Sequence, residues 1–141
     1  MNILLAIDGS EVSLRAVRGL IDHLRWFRDK PSVHLLHVHL PVPVGLALEH
    51  VGRETLDRYY KEEGEAVLAP ALALLEAAAL PATPHIHVGH PAETIAKLAG
   101  ELGCELICMG THGHGAVASA VLGSVAHKVL QLAHVPVLLT R

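Results

Sequence analysis

The sequence predicts an α/β fold: a single domain over residues 1–141 in which a five-stranded parallel sheet carries helices on both faces. Three observations point there. Short apolar runs alternate five times with segments of helical period along the chain. The first run, Asn2 to Ile7, is apolar on both of its faces, as a central parallel strand requires. At 141 residues and 51% hydrophobic, the chain holds enough apolar material for one real core and too much for a disordered segment.

Each element follows from local signals. In the first strand, period two places Leu4, Ala6 and Asp8 on one side and Ile3, Leu5 and Ile7 on the other. Asp8-Gly9-Ser10 then turns the chain, with Ser10 as N-cap of a helix carrying Val12, Ala16, Leu20 and Leu24 to about Arg28. Lys30-Pro31-Ser32 breaks that helix, and Val33 to Leu40 reads as the second strand. Pro41 and Pro43 end it and begin a loose segment through about Gly52, a candidate lid over the sheet edge. Arg53 to Ala79 reads as a long Ala- and Leu-rich helix. A kink or break is expected near residues 66–70, since Pro70 in a helix interior costs ~3 kcal/mol or more. Residues 84–88 make the third strand, and Gly89-His90-Pro91 turns into a helix from about Ala92 to Leu102. Glu105 to Met109 is the fourth strand, Val125 to Ala133 the last helix, and Val135 to Thr140 the fifth strand. Pro136 suits an edge position or the start of a strand.

The chemistry concentrates in Met109 to Val125, MGTHGHGAVASAVLGSV, between the fourth strand and the last helix. Gly110, Gly113 and Gly115 lie there with almost nothing bulky or charged around them. Glycine permits positive φ and lets a ligand reach the main chain without meeting a Cβ. Ser124 is a candidate N-cap, and the helix behind it offers free N–H groups and a positive dipole end. Strand, glycine turn and helix start together make an anion site suited to the phosphates of a nucleotide. In open α/β sheets such sites lie beyond the carboxyl ends of the strands, where strand order reverses, and Asp8 and Gly110 are the pair expected to flank that crevice.

The spacing Gly110-x2-Gly113-x9-Gly123-Ser124 resembles the ATP-binding signature of the universal stress protein family. The opening strand ending in Asp8-Gly9-Ser10, the strand end Leu36-His37-Val38 and the closing strand Val135 to Leu139 extend the resemblance over nearly the whole chain. It implies a Rossmann-like sheet of order 3-2-1-4-5, of the adenine nucleotide alpha hydrolase-like type. It also implies ATP binding coupled to a stress or signalling role. By the same resemblance Asp8 sits beside the nucleoside or a bound metal ion, and Val38 lies against adenine. Met109 and Gly110 end the fourth strand at the site, and Gly113, Gly123, Ser124 and Val125 bind phosphate. Ala6 shares the face of Asp8 and is placed to touch the base through its backbone, while His112 matches a common family residue able to donate to phosphate when protonated. At His114 the family often carries a longer basic side chain, so a permanent cation is not implied here. The cofactors expected are ATP and, with it, Mg2+ at Asp8.

Other readings are weaker. There is no G-x-x-x-x-G-K-[ST], which excludes a P-loop. Gly113-x-Gly115-x-x-Ala118 fits a dinucleotide fingerprint, but the acid wanted about twenty residues later is missing from Leu132 to Leu139. The twelve histidines include strand pairs His37 with His39 and His85 with His87, a geometry open to metal; packing and hydrogen bonding is the preferred reading. Lys128 reads as solvent-facing, and Cys104 and Cys108 as buried thiols. Nothing beyond Asp8 or a histidine offers a general base, so binding with slow or absent hydrolysis is expected. The alternatives are a slow ATPase or nucleotide-transfer enzyme using Asp8 and His112, and a histidine-based metal-binding protein. A net charge of −3 gives no support for nucleic-acid binding, and no apolar run reaches the length of a membrane span. The start of the sequence lacks a basic region and cleavage site, which with two thiols suggests a cytoplasmic protein. The short apolar last strand suggests a homodimer paired across a two-fold axis at the sheet edge.

Overall fold

The computed structural model describes residues 1–43, 52–114 and 121–141. Five parallel strands, β1 (Asn2–Ala6), β2 (Ser32–His39), β3 (Ala82–Val88), β4 (Leu106–Gly110) and β5 (Val137–Thr140), form one sheet in the order β3-β2-β1-β4-β5. Four helices connect them: α1 (Glu11–Asp22), α2 (Arg53–Ala77), α3 (Pro91–Glu101) and α4 (Ser124–Leu132). The chain leaves β1 toward β2 on one side and returns to β4 on the other, so the order reverses between β1 and β4.

The alternation read from the first strand divides the core into two layers. Ile3, Leu5 and Ile7 pack with Val33 and Leu35 against Ala16, Val17 and Leu20 of α1 and Leu68, Ala71 and Leu75 of α2. Leu4 and Ala6 face the other way, with Leu36, Ile107 and Met109, against Ile95 and Leu98 of α3 and Ala126 and Val129 of α4. The helices bury residues three and four apart, such as Tyr60, Gly64, Leu68, Ala71 and Leu75 of α2, which is one stripe of a 3.6-residue period. Gly64 lets α2 lie close on the sheet: a Cβ there would come within 2.6 Å of Ile86. Cys104 and Cys108 are buried free thiols, and burial pushes Cys108 up to about 12.

Several boundaries differ from expectation. α1 ends at Asp22, not near Arg28, because His23 takes the C-cap and its Nδ1 lies 2.7 Å from the Gly19 carbonyl; a short 3-10 turn, Leu24–Trp26, follows. Of the kink or break expected near residues 66–70, the break does not occur: α2 is one helix through Pro70. Pro70 and Ala66 are both exposed, so the carbonyl that proline leaves without its N–H partner lies on the solvent side of the helix. β3 starts at Ala82 and accommodates Pro84 because it is an edge strand. β5 begins two residues later than expected, although the Pro136 carbonyl already accepts from the Ile107 amide at 3.0 Å. The candidate lid between Pro43 and Gly52, and Gly115 with Ala118, lie outside the described residues.

Candidate functional site

A cavity of about 410 Å³ opens beyond the carboxyl ends of the strands, at the reversal between β1 and β4. Around it the fold brings together all ten of the residues singled out from the sequence: Ala6, Asp8, Val38, Met109, Gly110, His112, Gly113, Gly123, Ser124 and Val125. Its walls divide by chemistry. Leu36, Val38, Ile95, Met109 and Val125 supply an apolar side, while Asp8, Ser13, His37, His39 and Glu63 supply a polar one.

The turn after β1 is held by its own polar groups. Gly9 takes φ +85°, a left-handed conformation that a side chain would strain. The Ser10 amide donates to Asp8 Oδ1 at 2.9 Å, and Ser10 Oγ caps α1 by accepting from the Ser13 amide at 3.2 Å. The second oxygen of Asp8 reaches across the crevice, accepting from the His114 amide at 3.2 Å. Burial, the largest single influence on this carboxyl, pushes its pKa up. Hydrogen bonds from Ser10, Ser13 and the His114 amide together outweigh it and hold Asp8 below the usual carboxylate value. Asp8 is therefore an anion with little basicity at neutral pH.

The turn after β4 is built by missing side chains. A Cβ on Gly113 would overlap the Asp8 carboxylate. One on Gly110 would come within 2.8 Å of Val12 in α1, and one on Gly123 within 3.1 Å of the Thr111 carbonyl. These glycines work by close approach and not by positive φ, which among the described glycines occurs at Gly9 and Gly103. The turn is tied to the sheet by the Thr111 amide on the Thr140 carbonyl at 2.9 Å, and closed by the Gly123 amide on the Thr111 carbonyl at 2.7 Å. The Thr111 hydroxyl lies 2.9 Å from His112 Nδ1.

Ser124 is not the helix cap that the sequence suggested. Gly123 holds that position, extended at φ −71° and ψ 160°, and its carbonyl accepts the first helical bond, from the His127 amide at 2.9 Å. Ser124 is thus the first helical residue, and Gly123, as N-cap, has no side chain to offer the amides of α4. Its first amides, at the positive end of the helix dipole, belong to Ser124, Val125 and Ala126, which border the cavity.

Reading the sequence missed part of the wall: Ser13, His37, His39, Glu63, Pro91, Ile95 and Thr111 also border the cavity. The paired histidines hydrogen-bond locally, His34 Nδ1 to His85 Nε2 at 3.0 Å and His39 Nε2 to Glu63 at 2.9 Å. Among the described residues, no group of three or more His, Cys, Asp or Glu side chains is placed to hold a metal ion. Lys128 is half exposed and pairs with Glu93 at 2.5 Å. Among the described residues, no helix is long and apolar enough to cross a membrane.

Comparison with known proteins agrees with this architecture. The family model described as the universal stress protein family matches residues 1–141. A universal stress protein of Thermus aquaticus is 38% identical over 140 residues, covering 99% of this chain and 97% of that protein. The solved structure of MJ0577, a universal stress protein of Methanocaldococcus jannaschii, superposes with a TM-score of 0.84 at 28% identity, covering 99% of this chain and 94% of that one. The universal stress protein from Archaeoglobus fulgidus in complex with dAMP has the same fold, with a TM-score of 0.66 at 22% identity over 100% of this chain and 98% of that one.

Proposed function

The chain belongs to the universal stress protein family, and from that premise we propose that it binds an adenine nucleotide, ATP with Mg2+, in the cavity at the β1–β4 reversal. The observation that carries this is the glycine-capped start of α4 bordering the same cavity as the glycine turn and Asp8. Phosphate oxygens fit the amides of Ser124, Val125 and Ala126, with Gly113 and Gly123 giving them room, the Ser124 hydroxyl offering a side-chain donor and His112 bordering the same space. Adenine fits the apolar side against Val38 and Met109, with the Ala6 backbone and Gly110 beside it. The dAMP complex of the Archaeoglobus relative supports an adenine nucleotide as the ligand class.

Asp8 fits a Mg2+ that arrives with the nucleotide. Its ionised carboxylate lies close to the polyanion site, an arrangement that repels without a cation between the two. Mg2+ is commonly held by one or two carboxylates together with substrate phosphates and water, so one protein oxygen is enough. A bound Mg2+ would neutralise phosphate charge there. The same low basicity makes Asp8 a poor general base, which favours slow or absent hydrolysis. The protein then acts as a single-domain, cytoplasmic stress or signalling module through the nucleotide state it presents to partners. It pairs as a homodimer through β5, which forms one edge of the sheet.

Mass spectrometry of small molecules released by denaturing the purified protein tests the ligand. An adenine nucleotide at near one per chain is expected; its absence, together with no uptake of Mg2+-ATP in calorimetry, would refute the reading. Light scattering at micromolar concentration should give a dimer mass, and a monomer mass refutes the pairing.

A further inference from the structure

His37 stands near the end of β2, 7% exposed, and borders the cavity. Its Nδ1 lies 2.9 Å from the carbonyl oxygen of Ile7. A carbonyl can only accept, so Nδ1 carries a proton, and in the neutral ring Nε2 is left as a bare acceptor. Among the described residues none donates to Nε2. Yet no fully buried side-chain nitrogen or oxygen lacks a partner among those residues. Nε2 is therefore open to solvent, and the open space that His37 borders is the cavity. His39, two residues on, is the contrast: Nδ1 is 2.6 Å from the Leu40 carbonyl and Nε2 is 2.9 Å from Glu63, so both ring nitrogens are engaged.

We propose that His37 is a specificity-determining residue, whose Nε2 accepts a hydrogen bond from a hydroxyl or amino group on the nucleoside part of the ligand. The inference rests on the nucleotide reading above. The bond to Ile7 and near-complete burial fix the ring before the ligand arrives, so little ordering cost falls on binding. A ligand without the matching donor covers this acceptor, takes it from water and leaves it unpaired, and is rejected for that reason.

Calorimetry with AMP, inosine monophosphate, 2′-deoxy-AMP and 3′-deoxy-AMP separates an amino donor from each ribose hydroxyl. The wild-type protein should bind one of the three analogues about tenfold more weakly than AMP. In His37→Asn the shorter amide reaches the place of Nδ1 and keeps the Ile7 bond but not the acceptor; that difference should vanish. In His37→Gln the longer amide reaches the place of Nε2 and should restore it. Equal affinity of the wild type for all four ligands overturns the inference, as does unchanged discrimination in His37→Asn. In the wild-type protein itself, the 15N resonance of His37 Nε2 should move on addition of AMP, and a fixed resonance overturns the inference even where a variant fails to fold. Failure of the wild type to bind either AMP or Mg2+-ATP sinks the nucleotide reading as well; binding without discrimination sinks only the role of His37.

Discussion

The two turns that meet over the sheet, after β1 and after β4, solve the same problem in opposite ways. Each must start a helix and satisfy amides that have no partner within it. The first does so with its own side chains: Asp8 holds the Ser10 amide, and Ser10 caps the Ser13 amide. The second puts at its N-cap a glycine, with no side chain to offer, and Gly123 and Gly113 strip away the Cβ atoms that would crowd Thr111 and Asp8. A closed helix start stabilises the fold; an open one facing a cavity is available to a ligand. α2 and α3 also lack a side-chain cap, so an open start is not sufficient. The glycine turn, with Asp8 held against it and bordering the same cavity, is what sets α4 apart.

That contrast can be broken from either side. The largest effect is expected for Gly113→Val, because the new side chain would occupy the space of the Asp8 carboxylate. Affinity for Mg2+-ATP should fall by about 100-fold or more in calorimetry, a loss of about 3 kcal/mol. Asp8→Asn should come next: Mg2+-ATP binding weakens about tenfold, while metal-free AMP binding is unchanged or tighter, since a like charge has gone. Ser10→Ala attacks the closed turn instead. It should lower unfolding stability by about 1 kcal/mol in urea titrations and leave nucleotide affinity as it was. The smallest effect is a pH dependence. The folded pKa of Asp8 lies below its unfolded value, so its contribution to stability is complete above about pH 4 and is lost as pH falls through the depressed folded value. Urea titrations should show any advantage of the wild type over Asp8→Asn shrinking below about pH 4; a gap that widens on acidification contradicts this.

The legible parts of the molecule were those written in local periodicity. The alternation of Ile3, Leu5 and Ile7 against Leu4 and Ala6 fixes which layer each residue joins. Strand order was not in the periodicity and came from the family resemblance alone. Within the candidate site, residues next to strand ends and glycines were recoverable because their position along the chain dictates their place in the crevice. Glu63, Pro91 and Ile95 were not, since they arrive from α2 and α3 through packing that no short motif encodes. His37 carried a signal that went unread: beside Val38 at a strand end, it was bound to stand near the cavity. The misplaced cap at Ser124 is a competition of local rules. Serine is the stronger capping side chain, but Gly123 is the residue with extended backbone, and the helix has already begun one residue later. α2 continues past Pro70 because an exposed carbonyl can turn to water.

The most direct test of the open helix start is an amide 1H–15N titration of the protein with Mg2+-ATP. The amides of Gly113, Ser124, Val125 and Ala126 should shift together and saturate with one nucleotide per chain, while that of Ser13, already engaged by Ser10, stays close to its starting position. Saturation with those four amides unmoved would contradict the account.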